Sequence, residues 1–351
     1  MAHEFDEFHE ELRSVADDLL AKDRTVDWSV LADAGWTGLE VPDNLGGAGA
    51  TFGEVAVVCE QIGRAASATD YLGSAVLAVG VLKSLQPSGS RDELLTAVSA
   101  GSVRTAVAVG SFTLDGGRLS GQAEFVPDAD GADRLLVIAA ESDGSPVVVE
   151  VAGLTLTPQP VLDETRCLAA VSAEAAEVAQ VLRFEGDPHE QVRRLLDRAA
   201  VAVACDSLGL SEAMLAATVA YAKVRSQFGR PIGSFQAVKH ACADMQVAIA
   251  VSRQLVSAAV EAVAEDRPDT GAAAAMAKSY ACSAAVDVVG KAMQLHGGIG
   301  YTWESGIHVY LKRALLNRSL FGSPAEHRRQ LAKRYSSRET PFRTRYAEGT
   351  H

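Results

Sequence analysis

Apolar positions recur at helical spacing over the first hundred residues. Leu12, Val15, Leu19 and Leu20 form one stripe, and Val55 to Ala66 (VAVVCEQIGRAA) forms another. Between them, GWTGLEVPDNLGGAGA is too rich in Gly and Pro to continue a helix and reads as a loop, with Thr51 placed to cap the helix that follows. From about residue 101 the period changes. The short runs TAVAVG, RLSGQAEFV, RLLVIAA, PVVVEVAG and LTLTPQPV are separated by turn formers such as Asp115-Gly116-Gly117 and Ser142-Asp143-Gly144, as expected of a compact β domain. From about residue 186 the helical period returns in three Ala-rich stretches, Leu195 to Arg225, Phe235 to Asp266 and Thr270 to Leu295. The pattern predicts four segments: a helical domain over 1–100, a β domain over 101–185, a helical bundle over 186–336 and a polar tail over 337–351. Strands grouped together, not alternating with helices, argue against a doubly wound parallel sheet.

Composition narrows the possible functions. The 351 residues are 48% hydrophobic, enough for a large core, and 45 acidic against 32 basic side chains give a net charge of −13. That balance disfavours nucleic-acid binding, which needs a basic field. It leaves room for an anionic cofactor held by a local cluster of donors. No uninterrupted apolar run approaches the ~20 residues that span a bilayer, and the acidic amphipathic start resembles neither a signal nor a transit peptide. Five scattered cysteines without a CxxC pair predict neither disulfides nor a zinc site and fit a cytoplasmic protein. His240 and Cys242, two apart on a helix, point to different faces, so no metal site is expected.

Two segments near the C-terminus carry candidate chemistry. In YAKVRSQFGRPIGSFQAVKHACADM (221–245), a helix is expected to end near Gln227, a tight loop to follow, and the next helix to start at Ser234 as its N-cap. Arg225 beside fresh helix-start amides suits a diphosphate; pairing of Arg225 with a neighbouring carboxylate is the alternative. In KAMQLHGGIGYTWESGIHVYLKRALL (291–316), Gly297, Gly298 and Gly300 end a long helix and permit close approach of a ligand or another backbone.

Together these segments, R-x-Q-F-G-x-P-I-x-x-F-Q, then A-D-M, then Q-x-x-G-G-x-G-Y-T-x-E, resemble the C-terminal bundle of the acyl-CoA dehydrogenase family. The N-terminal G-W-x-G-L-x-V-P-x-x-x-G-G-x-G (35–49) resembles its first helical domain, and LDETR (162–166) with RLSGQAEFVPDADGADRLLV (118–137) resembles its middle domain. The resemblance implies an α+β fold: an N-terminal helical domain, a middle antiparallel β barrel-like domain and a C-terminal four-helix bundle, assembled as dimers or tetramers. It also implies FAD-dependent α,β-desaturation of acyl-CoA thioesters, with an electron-transfer flavoprotein as acceptor. By motif matching, Arg225, Phe228 and Gln236 correspond to residues on the diphosphate and adenine side of FAD, and Gln294, Gly297 and Gly298 to the other half of that cradle.

The catalytic half departs from the family. Where many members carry a glutamate base near the C-terminus, Gly322 stands in Phe321-Gly322-Ser323-Pro324. Where others carry glutamate and arginine on the first bundle helix, Ala199 and Ala200 stand. The loop that borders the flavin ring is missing from RTAVAVGSFTLDGG. Asp197 is the nearest alternative carboxylate; Glu304 reads as structural. These losses resemble the shorter subunit of actinobacterial α2β2 acyl-CoA dehydrogenases, including those acting on steroid side-chain CoA thioesters, whose homologous partner supplies the base. A self-sufficient homo-oligomer with an atypical base such as Asp197, and a non-enzymatic scaffold retaining the fold, remain as alternatives.

Overall fold

The computed structural model describes residues 2–336; the polar tail expected over 337–351 lies outside them. Helix α1 (Ala2–Leu20) buries Leu12, Ala16 and Leu20, while Val15, expected on the apolar stripe, is exposed. After α2 (Trp28–Asp33), the Gly- and Pro-rich loop makes two short 3-10 turns. It delivers Thr51 to the start of α3 (Phe52–Ala65). There Thr51 and Glu54 form a reciprocal capping box, with the Thr51 amide donating to Glu54 Oε2 at 2.8 Å. A buried π-helical turn (Leu72–Ala78) runs into α4 (Val79–Lys83), and α5 (Gly89–Ser99) completes this layer.

Strands β1 (Thr105–Asp115), β2 (Arg118–Pro127), β3 (Arg134–Ala140), β4 (Pro146–Val151), β5 (Thr155–Pro158) and β6 (Leu168–Leu182) follow. Hydrogen bonding runs β2-β1-β3-β4-β6, and β6 pairs back onto β2, so the sheet closes into a barrel with β5 alongside β6. One pair departs from the antiparallel expectation. β3 lies beside β1 in parallel, because the chain returns from β2 to the far edge of β1. Alternate residues divide between two cores: Ala106, Ala108, Val137 and Val149 face the barrel interior, while Val107, Leu136, Ile138 and Val148 join the helical core. This wall is buried on both faces, which explains its unbroken apolar runs.

The C-terminal layer begins at Asp187, whose carboxylate accepts from the amides of His189 and Glu190 with Pro188 at the first helical position. Helix α6 (Pro188–Val224) is the central rod. It packs against α7 (Gln236–Ala264) and α8 (Thr270–His296), with α9 (Ile307–Ser319) and α10 (Pro324–Ser336) closing over α8. Helices α6 and α7 are each long and apolar enough, by length and composition alone, to cross a membrane, although neither is an uninterrupted apolar run. α6 is a buried core helix, whereas most of α7's apolar stretch is exposed.

Candidate functional site

The Tyr221 ring stacks on His296 with centroids 4.4 Å apart, and the Tyr221 hydroxyl donates to the His296 carbonyl at 3.4 Å. This contact fastens the end of α6 to the end of α8. It brings the Arg225 and Gln294 segments to one end of the bundle. Helix α6 stops at Val224, three residues earlier than expected, and the Arg225 amide caps it by donating to the Tyr221 carbonyl at 2.9 Å. A short hairpin of β7 (Ser226–Gln227) and β8 (Arg230–Pro231) then carries Phe228 at its tip, 92% exposed and in the left-handed region at φ +52°. Arg230 covers the Phe235 ring at 4.2 Å, and Phe228 meets that ring edge-on at 6.2 Å.

Ser234 is not the N-cap of α7. It lies in a 3-10 turn (Ile232–Ser234), Phe235 takes the cap position without a side-chain hydrogen bond, and Ser234 Oγ is left without a partner. Gln236 is therefore the first residue of α7, at a helix start whose donors no side chain satisfies. The Arg225 guanidinium has no ion-pair partner among the described residues, so the neighbouring-carboxylate alternative is not realised.

Gln294 is exposed on the last turn of α8. Gly297 ends that helix at φ +64°, a conformation that favours glycine for backbone reasons. Gly298 has no such reason. Its φ is not positive, and a Cβ there would meet nothing within 4 Å. Neither the backbone nor the packing of this chain asks for glycine at 298, so the space beside it is open to another group. Together with the open guanidinium and the open helix start, these residues fit an anionic cofactor such as the FAD diphosphate.

The base positions lie elsewhere. Ala199 and Ala200 are wholly buried in the core. Gly322 follows α9 at φ +94°, and a Cβ built there would sit 2.9 Å from His327 Nε2. Its loop is fastened from three sides. The buried Lys278 ammonium donates to the Asn317 and Gly322 carbonyls at 2.8 and 2.9 Å, His327 Nε2 lies 2.9 Å from the Phe321 carbonyl, and Ser323 and Glu326 cap α10 reciprocally. Burial lowers the His327 pKa.

Asp197, two residues before Ala199, points the other way, into a cavity of about 720 Å³ also walled by Leu196, Gly271, Ala275, Phe321 and Gly322. No side chain or amide among the described residues hydrogen-bonds its carboxylate, and burial, opposed only by Arg193, raises its pKa to about 6. The structure thus brings Asp197 and Gly322 to one cavity. Asp197 lies 28 positions before Arg225, which caps the same helix, about 42 Å along its axis at 1.5 Å per residue, so the two ends of α6 do not meet within one chain. Glu304 is exposed at the opposite end from Asp197, and the neighbouring Thr302 hydroxyl lowers its pKa. The stretch expected to lack a flavin-ring loop is the continuous strand β1. No cluster of three metal-binding side chains occurs among the described residues, His240 and Cys242 included.

Sequence reading did not foresee Arg198 as a buried anchor. Its Nε donates to the Val76 carbonyl at 2.8 Å, its guanidinium pairs with Glu40 from two nitrogens, and it lies 4.5 Å over the Phe52 ring. No local signal marks it, because Glu40 is 158 positions away.

The acyl-CoA dehydrogenase N-terminal domain matches residues 2–93 and the C-terminal domain matches 189–336. Acyl-CoA dehydrogenase IpdE2 of Mycobacterium tuberculosis is 35% identical over 316 residues, covering 89% of this chain and 88% of the relative. The chain belongs to the acyl-CoA dehydrogenase family. The family comprises FAD-dependent oxidoreductases that act on acyl-CoA. Among solved structures, a Tcur3481-Tcur3483 steroid ACAD G363A variant is similar with a TM-score of 0.85 at 28% identity, covering 94% of this chain and 98% of that one. The ChsE4-ChsE5 complex from Mycobacterium tuberculosis is similar with a TM-score of 0.84 at 26% identity, covering 95% and 98%.

Proposed function

We propose that this chain is a subunit of a heteromeric acyl-CoA dehydrogenase, contributing the diphosphate and adenine side of an FAD site whose catalytic base comes from a homologous partner. The observation that carries the reading is the separation along α6: an open cradle at Arg225, Phe228, Gln236, Gln294, Gly297 and Gly298 at its C-terminal end, and about 39 Å back along its axis Ala199 at one family base position, with Gly322 at the other beside the cavity of Asp197. A chain with half a site at each end completes neither alone. When bound, FAD accepts the hydride from the substrate β carbon; the residues of this chain bind and orient its anionic end.

The exposed apolar face of α7 supports a partner. Val247 is 63% exposed, and Val251 of α7 and Met276 and Tyr280 of α8 are exposed as well. A steroid side-chain CoA thioester is the substrate class that fits the steroid acyl-CoA dehydrogenase likeness, with an electron-transfer flavoprotein as acceptor.

The test is FAD per polypeptide, read from visible absorption, for the chain alone and co-expressed with a full-length homologue encoded beside it. The reading expects colourless protein alone, a flavin-bearing complex with the homologue, and loss of that flavin in Arg225→Ala. One FAD per chain in the isolated protein, with acyl-CoA-dependent bleaching, would overturn it in favour of the self-sufficient homo-oligomer. Protein that stays colourless with the homologue would favour the scaffold. One observation favours the homo-oligomer as second reading: the unpaired Asp197 carboxylate shares a cavity with Gly322. In that case Asp197→Asn abolishes turnover and leaves flavin content unchanged.

A further inference from the structure

Where the barrel meets both helical layers, a set of charged side chains is buried without reaching solvent. Asp206 of α6 is the hub. It accepts from Arg313 Nε of α9 at 3.0 Å, from Arg166 Nη2 of the linker after β5 at 2.9 Å, and from Asn317 Nδ2 at 2.6 Å. Arg313 also donates to the Ser67 carbonyl at 2.6 Å and to Thr165 Oγ at 2.9 Å. Asp163 accepts from the amide and hydroxyl of Thr165, and its second oxygen has no partner.

Asp128, on the loop leaving β2, is 4% exposed. Its Oδ2 accepts from the Gly73 amide at 2.6 Å, and its Oδ1 has no partner. Gly73 opens the π-helical turn (Leu72–Ala78), and a Cβ there would come within 2.8 Å of the Asp128 Cβ, so contact between barrel loop and turn depends on this glycine. The turn is held again by Ser74 Oγ, which donates to the Thr105 carbonyl at 2.8 Å, and by Arg198 Nε at Val76.

Three carboxyls, Asp128, Asp163 and Asp206, are buried here against two guanidiniums, Arg166 and Arg313. The remaining groups facing Asp128 are Asp70, paired at the rim with Arg104 at 3.7 Å, and the Cys167 thiol. Neither supplies a positive charge, so the buried set balances only when one carboxyl holds a proton. Asp206 is held ionised by its guanidiniums. Asp128 has one amide donor and a bare oxygen.

We propose that this junction is a proton-linked clasp: Asp128 carries the balancing proton, and its loss loosens the grip of the barrel loop on the Leu72–Ala78 turn. The shift runs in the same direction, since burial first and Asp70 second push Asp128 up to about 7, against Arg166, the Gly73 amide and Arg313. A carboxyl raised in the closed junction favours that state at low pH: the contribution is full below ~4, where a solvated aspartate titrates, and is lost as pH rises from there through about 7.

The experiment is amide hydrogen exchange on the full chain, following peptides that cover residues 72–83 at about pH 6 and about pH 8.5, each corrected for the intrinsic exchange rate. The clasp expects protection in the wild type to fall by about tenfold or more across that interval. Asp128→Asn, which keeps an acceptor for Gly73 but has no proton to lose, is expected to show no pH dependence. Should that variant not fold, Asp70→Asn decides: removing the neighbouring negative charge is expected to lower the pH midpoint. Equal wild-type protection at both pH values, or the same pH dependence in Asp128→Asn, would overturn the proposal, as would an unmoved midpoint in Asp70→Asn.

Discussion

The Lys278 ammonium, wholly buried in α8, donates to the Gly322 carbonyl at 2.9 Å and so fixes the loop between α9 and α10. Its other contacts, to the carbonyls of Asn317 and Arg318, occupy acceptors that α9 leaves open at its C-terminus. Burial lowers its pKa, yet three carbonyl acceptors keep an ammonium useful there.

Lys278→Met is therefore expected to destabilise the chain by about 3 kcal/mol, because it strands buried carbonyls while preserving most of the apolar stem. Equilibrium urea unfolding measures this. A change under about 0.5 kcal/mol would show that the loop finds other donors.

Gly322, matched by motif to the family's base position, sits where a side chain is not accommodated. A side chain at φ +94° is strained, and its Cβ would approach His327 Nε2 to 2.9 Å. Gly322→Ala is expected to cost about 2 kcal/mol, of which the double variant with His327→Ala recovers only the steric part. Gly322→Glu is expected to be less stable still and to produce no dehydrogenase activity in the isolated chain. Denaturant midpoints and an anaerobic acyl-CoA assay check the two statements.

Much of the fold was legible because its signals are local. The Thr51 cap, the turn at Asp115-Gly116-Gly117 and the helical period of α6 to α8 each act within a few residues. Strand β6 escaped notice for the converse reason. Its sequence LAAVSAEAAEVAQVL is Ala- and Glu-rich, with intrinsic preference for helix, and only pairing with β2, β4 and β5 makes it a strand. The proposed cradle residues could be named because they sit in two short motifs, 225–236 and 294–298. Arg198, Lys278 and Asp206 could not, because their partners lie 39 to 158 positions away.

Asp206 joins three layers through Arg166, Arg313 and Asn317. Asp206→Ala leaves two buried guanidiniums facing each other without the one carboxylate that hydrogen-bonds both, and Arg166 already has an unpartnered Nε. The expected loss is about 4 kcal/mol, near the stability of many domains. Asp206→Asn keeps the shape and removes the charge, so a comparable loss in that variant assigns the effect to charge. A loss confined to Asp206→Ala would assign it to packing.

Asp197 gives a prediction that does not depend on which catalytic reading holds. Its carboxyl is half-buried without a hydrogen-bond partner, and burial raises it to about 6, whereas an unfolded aspartate titrates near ~3.9. A carboxyl raised on folding holds its proton more tightly in the native chain. The native state is therefore favoured at low pH, and that contribution is lost as pH rises from about 4 through about 6. Above that window the wild type carries an unpaired buried charge that Asp197→Asn does not. The variant is expected to be more stable than the wild type by about 1–3 kcal/mol at neutral pH and to converge on it near pH 4. Urea midpoints across pH 4 to 8 test this, read as the difference between the two proteins so that other titrating groups cancel. A constant difference would mean that Asp197 acts through packing. A difference that grows with pH, together with unchanged flavin content in the assembled complex, would confirm a charge held at a stability cost in the cavity beside Gly322. That is the arrangement a cavity-facing acid or base requires, and one that a solvated surface carboxylate does not produce.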